Sequence, residues 1–68
     1  MEFKDLLREA MGDLTQEQLS ERSGVHQTVI STYLRGASLP GYSNLVALER
    51  TLPRLKELRN SAEVLRAS

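Results

Sequence analysis

The stretch Leu14–Gly36, LTQEQLSERSGVHQTVISTYLRG, constrains the fold more than any other part of the chain. Thr15 is a good helix N-cap, and Gln18 three residues later completes a capping box, in which each side chain serves the other residue's backbone N–H. Leu14 before the cap and Leu19 after it have the spacing of a hydrophobic staple. The helix so begun is short, Gln16–Arg22, because Ser23-Gly24 ends it and glycine takes a backbone geometry that other residues resist. Val25 then turns inward, and a second helix runs from Gln27 to Leu34 or Arg35 before Gly36 closes it. Two short helices around a glycine turn make a rigid unit that can lay its second helix in a groove.

The flanks read as support for that unit. Phe3, Leu6, Leu7, Ala10 and Met11 fall at helical spacing, which predicts an amphipathic helix over Glu2–Met11 with Gly12 as a left-handed C-cap. Residues Gly36–Gly41 form a loop marked by two glycines and a proline. Leu45, Val46, Leu48 and Leu52 predict a fourth helix from about Tyr42 to Thr51, capped by Gly41 or Ser43. Pro53 interrupts or restarts the chain, and Leu55, Leu58, Ala62 and Leu65 stripe a basic C-terminal helix over 53–66. Strand-like alternation is missing throughout. The fold class is therefore all-α, five short helices in a single domain spanning 1–68.

A 68-residue chain has a marginal core. With no cysteine and one histidine, neither a disulfide nor a zinc site is expected to staple it, and no metal or other cofactor is expected. A nucleophile–base pair, a metal cluster and a phosphate-cradling loop are all missing, so the chain does not read as an enzyme. No apolar run is long enough for a signal peptide or a membrane span, and the expectation is a soluble cytoplasmic protein.

Formal net charge is zero, which alone argues against a nucleic-acid partner, but the distribution is uneven. Residues 1–21 hold two bases against six acids, a net of −4. Residues 22–48 hold Arg22 and Arg35 and no acid, a net of +2. Residues 49–68 hold five bases and three acids, again +2. The acid-free window covers the second motif helix and the loop after it, where a phosphate backbone could approach without like-charge repulsion. On that helix Gln27, Thr28, Ser31 and Thr32 are polar and able to donate and accept, and 27/31 and 28/32 lie one turn apart on a single face. The DNA major groove, about 12 Å wide, admits one such helix.

The sequence resembles a known family at this point. Leu14-Thr15-Gln16-Glu17-Gln18-Leu19-Ser20, Gly24-Val25, Ile30-Ser31, Arg35-Gly36 and Pro40 are similar to the pattern of the lambda-repressor-like (Cro/repressor, XRE-type) helix-turn-helix DNA-binding family, over roughly Phe3–Leu52. The resemblance implies that Gln27 and Thr28 hold the first base-reading positions, with Ser31 and Thr32 as further groove-facing ones. Gln16, with Thr15 before it, would contact phosphate and brace the reading helix. Glutamine can pair bidentately with adenine, and threonine offers thymine a hydroxyl and a methyl. His26 could cap the reading helix, touch a phosphate or be simply solvated. Arg35 could reach phosphate or be a solvated charge suited to the helix dipole.

The loop departs from the family. Many members carry lysine or arginine where this chain has Ala37, Ser38 and Leu39, so phosphate contacts would fall to Ser38, backbone N–H groups, and Tyr42, Ser43 and Asn44. A shallower salt dependence follows. Leu34 stands where the family often has a charge; it is either buried or meets a partner. The tail from Pro53 matches least, its leucines serving core packing or a two-fold contact through Leu52, Leu55 and Leu58. The expectation is a phage or bacterial regulator of transcription. It would be a Cro-like repressor bound as a homodimer to a palindromic operator in the major groove of double-stranded DNA. Activation by touching RNA polymerase through Glu17 and Glu21 stays open, as does a helical protein–protein interaction module of the same fold. The polar, acid-free face at 27–32 weighs against the last, since protein-binding faces more often carry large apolar anchors.

Overall fold

The computed structural model describes the backbone of residues 2–67 and the side chains of residues 2–61. Five helices follow in order: α1 Phe3–Met11, α2 Gln16–Ser23, α3 Gln27–Leu34, α4 Tyr42–Thr51 and α5 Pro53–Ala67. Each boundary has a local cause. The Glu2 N–H donates to the Asp5 carboxylate at 3.3 Å, which fixes the start of α1. At the start of α2 the Thr15 N–H donates to Gln18 Oε1 at 3.0 Å and the Gln18 N–H to Thr15 Oγ1 at 3.1 Å, which is the expected capping box. Gly24 ends α2 in the left-handed conformation, φ 79° and ψ 3°, and its N–H reaches Ser20 O at 2.9 Å.

Gly12 differs from expectation. Its φ of 55° is positive, but ψ is −119°, outside the left-handed helical region. The chain leaves α1 in a tight turn, closed by the Leu14 N–H donating to Met11 O at 2.9 Å. Pro53 both stops and restarts the chain. It pushes Leu52 out of the helical region, to φ −123° and ψ 85°, and then begins α5 at the position where a missing N–H costs nothing.

The core gathers Leu6 and Leu7 of α1, Leu19 of α2, Val25 of the turn, Ile30 and Tyr33 of α3, Leu48 of α4, and Leu52 and Leu55. Phe3 meets the Tyr33 ring edge-to-face at 6.2 Å between centroids. Helix α1 packs on α3 and α5, α2 packs on α3 and α4, and α4 packs on α5. Helix α3 is thus gripped by α1 and α2. Arg59 Nη1 bonds Glu49 Oε2 at 2.7 Å and ties α4 to α5. Leu34 joins the edge of the core half-buried, which resolves one alternative left open by the sequence. Leu45 and Val46, which share the helical spacing of Leu48, are half-buried where Leu48 is fully buried.

Of the two roles left open for Leu52, Leu55 and Leu58, the structure shows core packing. Leu52 is 7% exposed and Leu55 0%. Because α5 folds back against α1 and α4, these leucines are spent on the chain's own core, and Leu58 packs half-buried against the same cluster. Ala62 and Leu65, the rest of that stripe, lie outside the described side chains.

Leu55→Ala should lower unfolding free energy by about 2–5 kcal/mol in urea denaturation, the usual range for a cavity in a packed core. Lys56→Ala, on the exposed side of the same helix, should change it by less than about 0.5 kcal/mol.

Candidate nucleic-acid interface

Helix α3 is held from both ends. At its start, His26 is the N-cap, and its Nδ1 accepts from the Thr28 N–H at 3.1 Å. At its end, Arg8 Nη2 of α1 donates to Leu34 O at 3.2 Å, satisfying one of the terminal carbonyls. Just beyond, Lys4 covers Gly36 so closely that a Cβ there would lie 3.0 Å from Lys4 Cδ. From the side, Asn44 Nδ2 of α4 donates to the Tyr33 hydroxyl at 2.9 Å.

Against that fixed helix the expected reading residues divide. Gln27 and Thr28 are exposed on its first turn, and their side chains make no hydrogen bond to another described residue. Ser31 is half-buried, and its Oγ accepts from Arg35 Nη1 at 3.5 Å, which draws the guanidinium back along the helix. Thr32 is different. Its hydroxyl donates to Val29 O at 2.6 Å and lies 3.3 Å from Ser38 Oγ, so it ties the following loop to α3, leaving its methyl as the part able to meet a base.

The expected phosphate contacts divide too. Thr15 is exposed and Gln16 half-buried at the N-terminus of α2, with the Thr15 oxygen already accepting the capping bond. Ser38, Tyr42 and Ser43 are exposed. Gly41 begins α4 with no side-chain cap, which leaves the first-turn N–H groups without that partner. Asn44 is half-buried, and one N–H of its amide braces a buried phenol that needs a polar partner, a role the sequence did not announce. Leu39 of the loop and Tyr42 at the start of α4, 76% and 84% exposed, are the large exposed hydrophobic side chains among the described residues.

Sequence reasoning missed Arg8, Lys4 and the brace by Asn44. Arg8 and Leu34 are 26 residues apart, and nothing in either local pattern announces the pairing.

The acid-free stretch that carries α3, the clamped helix and its exposed polar first turn agree with a comparison against known families. The helix-turn-helix family model matches residues 6–58, which reach into all five helices. The chain belongs to the lambda-repressor-like, XRE-type helix-turn-helix family. No curated protein and no solved structure gives a significant match. Membership makes the chain a DNA-binding regulator of transcription, on a five-helix fold of that type. Among the described residues, no helix is long and apolar enough to cross a membrane.

The brace can be measured without DNA. Asn44→Ala and Tyr33→Phe should couple by about 1 kcal/mol in a double-mutant cycle of unfolding free energies, because the two groups satisfy each other. An Asn44 that served only DNA would give additive changes.

Proposed function

We propose that the chain is a sequence-specific repressor of the Cro-like kind, bound as a homodimer to a palindromic operator with α3 of each copy in the major groove. The observation that carries this reading is the pair Gln27 and Thr28, exposed and unpaired on the first turn of a helix fixed at both ends. Gln27 would read adenine with its amide and Thr28 a thymine with its methyl and hydroxyl. Ser31, one turn on, adds a hydroxyl, and Thr32 adds its methyl. Thr15 and Gln16 at the start of α2, Arg35, Ser38, Tyr42, Ser43 and the first-turn N–H groups of α4 would fix the register on phosphate.

Two copies would place their reading helices about 34 Å apart, one turn of the duplex. The dimer surface lies away from Leu52 and Leu55, which are buried within each chain. Repression follows from occupying a promoter against polymerase. Activation is the second reading, favoured by the exposed carboxylates of Glu17 and Glu21 on the helix beside α3. A protein-binding module is favoured by exposed Leu39 and Tyr42, and opposed by family membership.

Selection from random DNA at physiological salt tests the proposal. It should enrich a two-fold symmetric site, and enrichment of nothing would support the protein-binding module. On the enriched site Gln27→Ala and Thr28→Ala should each cost about 1–3 kcal/mol and relax preference at one base pair per half-site. Unchanged binding would remove these residues from the reading role.

With Arg22 and Arg35 the bases of the acid-free window, the logarithmic salt slope should be shallow, roughly −2 per protomer at about 0.9 per phosphate neutralised. Titrations at several salt concentrations measure it. A slope several times steeper would mean that bases elsewhere on the chain carry the contact.

A further inference from the structure

The cap on α3 fixes more than the start of the helix. Its acceptor is an imidazole nitrogen, His26 Nδ1, taking the Thr28 N–H at 3.1 Å. An imidazole nitrogen that accepts carries no proton, and an imidazolium has no acceptor at all. While the cap is made, Nδ1 is the bare nitrogen and the ring's N–H is at Nε2. A serine or asparagine cap would satisfy the same N–H and end there. A histidine cap leaves a second polar atom on the far edge of the ring, and the cap decides that this atom donates.

His26 is exposed, directly precedes Gln27, and lies in the window without acids. From these observations we infer that His26 is a two-sided residue of the DNA interface. Nδ1 holds the reading helix, while Nε2–H donates to a backbone phosphate oxygen beside the bases that Gln27 and Thr28 read. The inference rests on the DNA-reading role proposed for α3 and adds the chemical form of one contact. A donor with no acceptor capacity matches a phosphate oxygen, which only accepts. The contact is neutral, so it adds affinity without releasing a counterion. It also couples register to helix integrity, because the group that meets the phosphate is the group that caps the helix.

Two measurements test it. The first is nitrogen NMR of the unbound protein in mildly alkaline buffer, which reports which ring nitrogen carries the proton. The Nε2–H form is expected, and a dominant Nδ1–H form would overturn the inference. The second compares His26→Asn with His26→Ala on duplex DNA. Asparagine keeps the capping oxygen but lacks the far nitrogen, so His26→Asn should fold like the parent and still bind about tenfold more weakly. That loss should be the same on cognate and unrelated duplexes, with the salt slope unchanged. Full rescue by Asn would reduce His26 to a cap and overturn the inference. A slope shallower by about 0.9 in the Asn variant would mean a charged imidazolium contact, and would overturn it too. Failure of the parent protein to bind any duplex would instead overturn the DNA-reading role, which keeps the two failures distinct.

Discussion

The structure depends on burying the inner face of α3. Ile30 is fully buried and Tyr33 nearly so, and the other helices are arranged to cover them. Helix α1 brings Leu6, Leu7 and the Phe3 ring, α2 brings Leu19, and α4 brings Leu48 and the Asn44 amide that satisfies the Tyr33 hydroxyl. A helix of eight residues would be marginal alone in water. Here its stability comes almost wholly from this burial and from the groups that cap its two ends. The same burial leaves one face free and fixes which face it is. Ile30 pointing inward places Gln27, Thr28 and Ser31 on other sides of the helix, so the core and the interface are two consequences of one register.

Electrostatics divides the molecule along the same line. The acids of residues 1–21 lie on α1, α2 and the turn between them, while α3, the loop and most of α4 carry none. Along that stretch an anionic partner would meet no carboxylate of the same stretch, although the total charge is zero. Few bases lie there, so in the proposed complex neutral donors would carry more of the contact: hydroxyls of Ser38, Tyr42 and Ser43, the first-turn N–H groups of α4, and the far nitrogen of His26. Such contacts are short-ranged and directional. They favour a bound register over sliding attraction, a different balance from that of a lysine-rich loop.

Local features were the most legible in the sequence. The Thr15–Gln18 capping box, the left-handed turn at Gly24 and the restart at Pro53 follow from interactions within a few residues, and the structure has them where the pattern places them. Less legible was everything that depends on which helices meet. Leu52, Leu55 and Leu58 show an apolar stripe, but a stripe does not say whether it faces the same chain or another. Only the return of α5 onto α1 decides that Leu52 and Leu55 are core. Asn44 and Thr32 are polar residues at sites where DNA contact was expected. The structure gives each an internal bond, Asn44 to Tyr33 and Thr32 to Val29, because nearby buried or terminal groups need partners. Arg8 is the reverse case, an ordinary surface base in sequence that caps the reading helix in three dimensions.

The central claim is that the exposed first turn of α3 meets DNA while α1 and α2 hold the helix in place. The most direct measurement is a residue-by-residue amide NMR titration with short duplex DNA. The largest shift changes should fall on residues 26–28, 31 and 38, with smaller ones at residues 15, 16, 42 and 43, and the exposed face of α5 should stay unchanged. Changes centred on the acidic faces of α1 and α2, with α3 silent, would contradict the account.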